Sequence, residues 1–433
     1  MSSDLKVLGL PAERGRWLLI LLGMGLLLCT GSVSSWSVFR SSLELEFNIG
    51  ATESLLPYTM ALVFYALFVT VAGFYIPRIG PRKVAAVGGI MVGLGYILSS
   101  YADNITTMTL TYGVLAGMGV GTSYGVPMAV VARWFPDKKG LAVGLTIVGF
   151  GLSPLITAPL ASRLISTYSV QTTLRVLGIA FTLIIPAIAL ALKFPPENWQ
   201  PRQLISNQPV FNQLGSGPLK ANAAPAYPKH LLHNRSFYGL WICYAVGTLI
   251  GLSAIGISGP VGEEIININP QLAASSVSLF ALFNGIARPL FGWLSDRFKP
   301  HYVAIATYTL ILIACLLMAN AKAGQVATYL VAFCLFWFCL GGWLAIAPIT
   351  TLRFFDPEHY AQNYGIVFTA YGIGAIIGTL ATGRIRDWFG TYTYAFYPMA
   401  LLAVVGILVA SFLLRRDGPA LPREERLSRH LNP

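Results

Sequence analysis

The 433 residues would suffice for two or three ordinary soluble domains on length alone. Hydrophobic residues make up 55% of them and charged residues only 11%, against about 25% charged in a typical globular chain. A soluble protein of this size has no means of covering its surface with so few charges, so the composition is that of a membrane protein. The 29 basic residues exceed the 17 acidic ones by +12, an excess that in a soluble chain would suggest nucleic acid. In a membrane protein it reports first on which side of the bilayer the loops lie.

Apolar runs long enough to cross a hydrocarbon core of roughly 30 Å fall, in chain order, near 17–39, 53–76, 84–101, 107–132, 140–162 and 172–193. The first run carries no convincing cleavage site, so a removable signal peptide is not expected. A polar stretch rich in Pro, Asn and Gln follows, from Phe194 to Ser236. It reads as a linker with room for a short surface helix. A second set of runs lies near 237–259, 273–295, 301–320, 325–350, 360–382 and 392–414. The expected fold class is an all-α membrane protein with twelve transmembrane helices in two pseudo-symmetric six-helix bundles. The bundles are residues 1–193 and 237–433, with 194–236 as the cytoplasmic linker between them.

Basic residues give the orientation. With both termini inside, cytoplasmic segments hold 22 of the 29 and the outer segments six: Arg40, Arg163, Arg175, Lys322, Arg384 and Arg386. The inverted topology reverses that ratio, so both termini are expected in the cytoplasm of a multi-pass protein of the cell membrane. The halves also repeat. Gly73-Phe-Tyr-Ile-Pro-Arg78 corresponds to Gly292-Trp-Leu-Ser-Asp-Arg297, Arg133-Trp-Phe135 to Arg353-Phe-Phe355, and Gly144 to Gly365. Three markers at nearly one offset indicate a duplicated six-helix unit, and duplicated halves with a binding site between them are a recurrent transporter plan.

At these residues the chain resembles the major facilitator superfamily, whose Gly-x-x-x-Asp-Arg-x-Gly-Arg type motif follows span 2 and recurs after span 8. The second copy keeps Gly292, Asp296 and Arg297; the first has Pro77 in place of the usual Asp, beside Gly73, Arg78, Gly80 and Arg82. The resemblance marks these residues as a conformational motif and, through Pro77, puts the usual charge latch of the first half in doubt. Arg133-Trp-Phe-Pro-Asp-Lys-Lys-Gly-Leu-Ala142, Ala116-Gly-Met-Gly-Val-Gly-Thr-Ser-Tyr-Gly125 and Asn284-Gly-Ile-Ala-Arg-Pro-Leu-Phe-Gly292 resemble the oxalate/formate antiporter family and its monocarboxylate transporter relatives. Those families place a substrate-binding arginine in span 8.

Arg288 is that position, eight residues before Asp296 and so about 12 Å into the membrane. Burying an arginine near a helix centre costs roughly 2.5–3.5 kcal/mol on insertion scales. No Asp, Glu or Lys lies deep in any span to neutralise it. A substrate carboxylate gripped by two parallel hydrogen bonds would; the alternative is an arginine that snorkels or bonds carbonyls. Asn284 lies one turn away on the same face, where it either orients Arg288, donates to the substrate, or makes an interhelical hydrogen bond. In span 11, Tyr371 aligns with a lysine of oxalate exchangers, and one cation suits a monoanion. Its hydroxyl either meets the substrate or the ring packs against the opposite half. Tyr124 matches a pocket tyrosine of the resembled families. Trp36, Phe150, Trp337 and Phe338 are candidates for an aromatic wall or for ordinary packing.

The expectation is therefore a secondary transporter of small monocarboxylates such as lactate or pyruvate, working by alternating access, with proton symport as the coupling mode. Exchange of carboxylates, or carriage of another small solute, is the alternative. Glu263 and Glu264, at the outer end of span 7, are the candidates for proton coupling, against a reading as solvated loop charges. The five cysteines lie in apolar runs without metal-ligand spacing. No metal, cofactor or nucleic acid is expected, no enzymatic activity, and a monomer is the expected state.

Overall fold

The computed structural model describes residues 5–136, 139–196, 199, 201, 235–355 and 360–414. Most of the linker, the tail beyond 414 and the side chain of Asp296 lie outside the described residues. Twelve helices among the described residues are long and apolar enough to cross a membrane. They are α1 (Ala12–Ser35), α2 (Ala51–Ile76), α3 (Pro81–Ser99), α4 (Ile105–Trp134), α5 (Ala142–Thr167) and α6 (Val170–Ala191) in the first half. The second half holds α7 (Arg235–Glu264), α8 (Pro270–Ser295), α9 (Pro300–Ala319), α10 (Val326–Thr351), α11 (Asn363–Phe389) and α12 (Tyr392–Leu413). Below, the terminal face is the end of the bundle from which residues 5 and 414 emerge, and the far face is the opposite end.

Helix is the only open-ended way to satisfy backbone groups in hydrocarbon, and the sequence supplies its punctuation. Asn104, Ser169 and Asn269 cap helix starts by accepting from the N–H of Thr107, Thr172 and Leu272. Proline opens α3, α8 and α9 in the first turn, where no N–H is missed. The tight turn from α2 to α3 passes through Gly80 at φ +93°, a conformation that favours glycine. Large side chains such as Leu183, Leu190, Leu401 and Phe412 stay exposed around the bundle, the belt that lipid covers.

Two local features depart from the expected spans. The first crossing begins at Ala12 rather than near residue 17, because Arg16 is buried where its Nη1 donates to the carbonyl of Trp134 at 3.2 Å. It ends in a tight 3-10 turn, Gly31–Ser35, and a separate short helix, Ser37–Phe47, follows. In α4 the stretch Thr109–Ala116 is wound as a π-helix, the register slip that recurs at functional positions.

The halves are tied together at the far face. Asp387 of α11 accepts from the first N–H groups of α2, Ala51 at 2.7 Å and Thr52 at 3.0 Å, so one half caps a helix of the other. Thr59 and Thr379 share a hydrogen bond, Ser258 donates to Ser37, and Tyr58 donates to the carbonyl of Leu252. Glycines record how closely the halves approach. A Cβ on Gly383 would come 2.6 Å from the backbone of Thr52 near the far face. On Gly372, deeper along α11, it would be 3.4 Å from Ala66. On Gly73 and Gly144, toward the terminal face, it would meet no described atom within 4 Å.

Candidate functional site: a buried arginine between the halves

Arg288 lies on α8, whose helix continues past the span to Arg297, nine residues and about 14 Å along the axis from Arg288. It is 6% exposed. Its Nη1 donates to the carbonyl of Ile147 on α5, in the other half, at 3.0 Å. Its Nη2 donates to Oδ1 of Asn284 at 3.2 Å. Nε is buried without an acceptor. Among the described residues no carboxylate forms an ion pair with it. A buried guanidinium held by two neutral oxygens, with a donor left over, has spare capacity for an anion.

Asn284 is fixed from both ends. Its Nδ2 donates to the carbonyl of Trp337 on α10 at 2.8 Å while Oδ1 receives Arg288, so the amide orients the guanidinium. On the other side is Gly151 of α5. A Cβ there would come 2.9 Å from Asn284 Oδ1 and 3.1 Å from Arg288 Nε. Its lack of a side chain lets α5 close over the orphaned donor.

Aromatic rings complete the layer. Phe150 lies 5.8 Å from the guanidinium carbon of Arg288 and stacks on Tyr65 of α2 at 5.7 Å. Tyr124 meets both edge-on, at 5.2 Å from each. From the second half, Tyr371 and Phe368 stack on one another and stand perpendicular to the Tyr65 ring, at 5.6 and 5.9 Å. The structure therefore brings Arg288, Asn284, Phe150, Tyr124 and Tyr371 into one buried layer. Trp337 joins it through its carbonyl, with its ring against Phe280 and its indole N–H buried unpaired.

Other sequence candidates fall elsewhere. Trp36 packs at a tilt against Tyr112 at 4.4 Å and donates to the carbonyl of Ser54, within the first half. Phe338 packs against Phe291. Glu263 accepts from Ser41 at 2.7 Å across the halves, and Glu264 pairs with Arg386 at 2.7 Å. Both glutamates are at the far face and engaged there, not at Arg288. Of the loop motif, Gly73, Arg78 and Arg82 are exposed at the terminal face, and Arg297 lies over the ring of Trp293. Gly292 has open space beyond a 3.8 Å approach to Ile349.

Arg40 lies at the far face, opposite the termini, as its place among the outer-side charges implies, but it is 0% exposed, a burial the sequence does not announce. The short helix after α1 folds it back between the halves. There it donates to Ser54 Oγ, the carbonyls of Ala51 and Gly256, Glu44 and the Tyr392 hydroxyl. The Arg40–Glu44 spacing of one helical turn was the available signal. Tyr65 and Gly151 carried none, being one tyrosine and one glycine among many.

Two six-helix halves with a buried layer between them are a recurrent transporter plan. The chain belongs to the Major Facilitator Superfamily, whose profile matches residues 21–263 and 247–431; this is a family and a fold of transporters, not of enzymes. It is 28% identical to the oxalate:formate antiporter of Oxalobacter formigenes, over 95% of each chain. It is 24% identical to monocarboxylate transporter 14 of Mus musculus, over 78% of this chain and 77% of that one. Among solved structures, it superposes on a bacterial homologue of the human lysosomal transporter Spinster, in an inward-facing and unoccupied conformation, with a TM-score of 0.71. That pair shares 15% identity and covers 94% of this chain and 99% of the other.

Proposed function

We propose that this transporter carries small monocarboxylates across the cell membrane by alternating access, with residues 1–193 rocking against 237–433. The observation that carries the proposal is Arg288: buried, oriented by Asn284, bonded among the described residues only to neutral oxygens and with its Nε–H unused. A carboxylate supplies two acceptors in the plane of the guanidinium and takes the place of the Ile147 carbonyl. One cation in the layer matches one negative charge, with Tyr124, Tyr371, Phe150 and Trp337 shaping the rest of the chamber. The excess of basic residues in the terminal-face loops supports a cytoplasmic location for that face. With the far face clamped, the binding layer is approached from the cytoplasmic side.

Proton symport assigns the titrating role to Glu263 or Glu264. Exchange of one carboxylate for another needs no titrating group, and it is favoured by the far-face bonds that hold both glutamates away from Arg288.

Uptake of radiolabelled L-lactate, pyruvate, acetate, formate and oxalate into proteoliposomes, with a pH gradient imposed or collapsed, tests both points. A monocarboxylate is expected to be taken up best. Oxalate transported fastest sinks the one-cation reading. Uptake that ignores the gradient but requires internal carboxylate establishes exchange, and the reverse establishes symport.

A further inference from the structure

Tyr65 is 1% exposed and lies at the centre of the aromatic layer. Its ring contacts Tyr124 and Phe150 from the first half and Phe368 and Tyr371 from the second. It therefore bridges the halves at the level of the site. Phe150 contacts both the Tyr65 ring and the Arg288 guanidinium, so Tyr65 stands one ring away from the cation.

The ring has little freedom to withdraw. A Cβ on Gly117 would come 2.7 Å from the Ala61 carbonyl, and one on Gly121 2.7 Å from Phe68 Cβ and 3.0 Å from Val69 N. The glycines of Gly117-Met-Gly-Val-Gly121 thus let α4 lie directly on the backbone of α2 around Tyr65. Across the interface Ala66 is 3.4 Å from the position of a Cβ on Gly372. Backbone contact with α4 fixes α2 within its own half at this depth, while Gly372 of the second half only touches the Ala66 methyl.

We infer that the tail of a carboxylate held by Arg288 lies against this ring layer and that Tyr65 limits its size: the ring turns away branched or aromatic monocarboxylates, since one methylene in a tight apolar pocket is worth about tenfold or more in discrimination. This rests on the carboxylate reading of Arg288.

The test is the ratio of kcat/KM for 4-methyl-2-oxopentanoate to that for pyruvate, in proteoliposomes holding the full-length chain. Tyr65→Phe keeps the ring and is expected to keep the wild-type ratio. Tyr65→Ala, with Tyr65→Leu as a second variant should Ala impair folding, is expected to raise the ratio by about tenfold or more. An unchanged ratio in folded Ala or Leu variants overturns the inference. So does a Phe variant that shifts the ratio as far as Ala, because the determinant is then the hydroxyl. Failure of the underlying reading looks different: wild-type protein takes up no pyruvate, or takes it up equally well after Arg288→Ala.

Discussion

Two arginines are buried across the interface between the halves, and their surroundings are opposite. Arg40, at the far face, is fully enclosed and bonded to two carbonyls, two hydroxyls and the carboxylate of Glu44, with the ring of Tyr392 5.6 Å from its guanidinium carbon. Arg288, toward the terminal face, has two neutral acceptors and an idle Nε. A guanidinium whose donors are all used and whose charge is matched holds structure together. One left electrostatically incomplete is prepared for something that arrives. Burial is common to both; the count and charge of their partners separate clamp from receptor.

The comparison breaks most sharply at Arg40. Replacing it with Ala leaves Glu44 in its half-buried site with only the Ser54 hydroxyl among the bonds described. Stranding one member of a buried pair costs roughly 3–5 kcal/mol. The expected outcome is a lower unfolding temperature in detergent and faster labelling of a Ser41→Cys reporter by a membrane-impermeant maleimide, as the far face loosens. The KM for the substrate in the remaining folded protein is expected to stay near wild type. A KM raised as much as by a change at Arg288 would show that the two arginines do not divide the work.

At Arg288 the pattern inverts. Arg288→Ala removes no matched charge from the resting fold, so thermal stability is expected to hold or rise, while uptake collapses. Truncating a hydrogen-bonded partner of a buried charge costs roughly 2–5 kcal/mol in binding, about 30-fold or more in kcat/KM. Arg288→Lys keeps the charge but loses the planar fork, and recovers only a small part. Wild-type uptake in the Ala variant would remove Arg288 from the site altogether.

The fold was legible because hydrocarbon imposes a coarse code: each crossing needs a long apolar run, and a charge inside one stands out. Twelve spans, two halves and Arg288 follow from that code alone. Arg40 escaped it by standing just beyond the first apolar run, its burial decided by Tyr392, 352 positions away. The acceptor that holds Arg288 is the backbone carbonyl of Ile147, which no side-chain pattern can announce. Trp36 and Tyr65 looked alike as aromatic residues in spans. Only packing separates the one set against Tyr112 within the first half from the one facing both halves.

The smallest expected effect comes from a residue with no side chain. Gly151 places the backbone of α5 against Asn284 and Arg288, and Gly285 opposite it is packed on Leu152. In Gly151→Ala the new methyl enters the space between Asn284 Oδ1 and Arg288 Nε, and overpacking of this kind costs roughly 1–3 kcal/mol. If substrate must part α5 from α8 to reach Nε, the methyl disturbs the grip on the carboxylate more than it disturbs the fold. The expected result is a KM raised about tenfold, or about 1.4 kcal/mol, with kcat little changed and the unfolding temperature modestly lowered. An unchanged KM would mean that the Asn284–Arg288 pair moves clear of α5 before substrate arrives. The Ile147 contact would then be a resting position of Arg288 rather than the bond that substrate displaces.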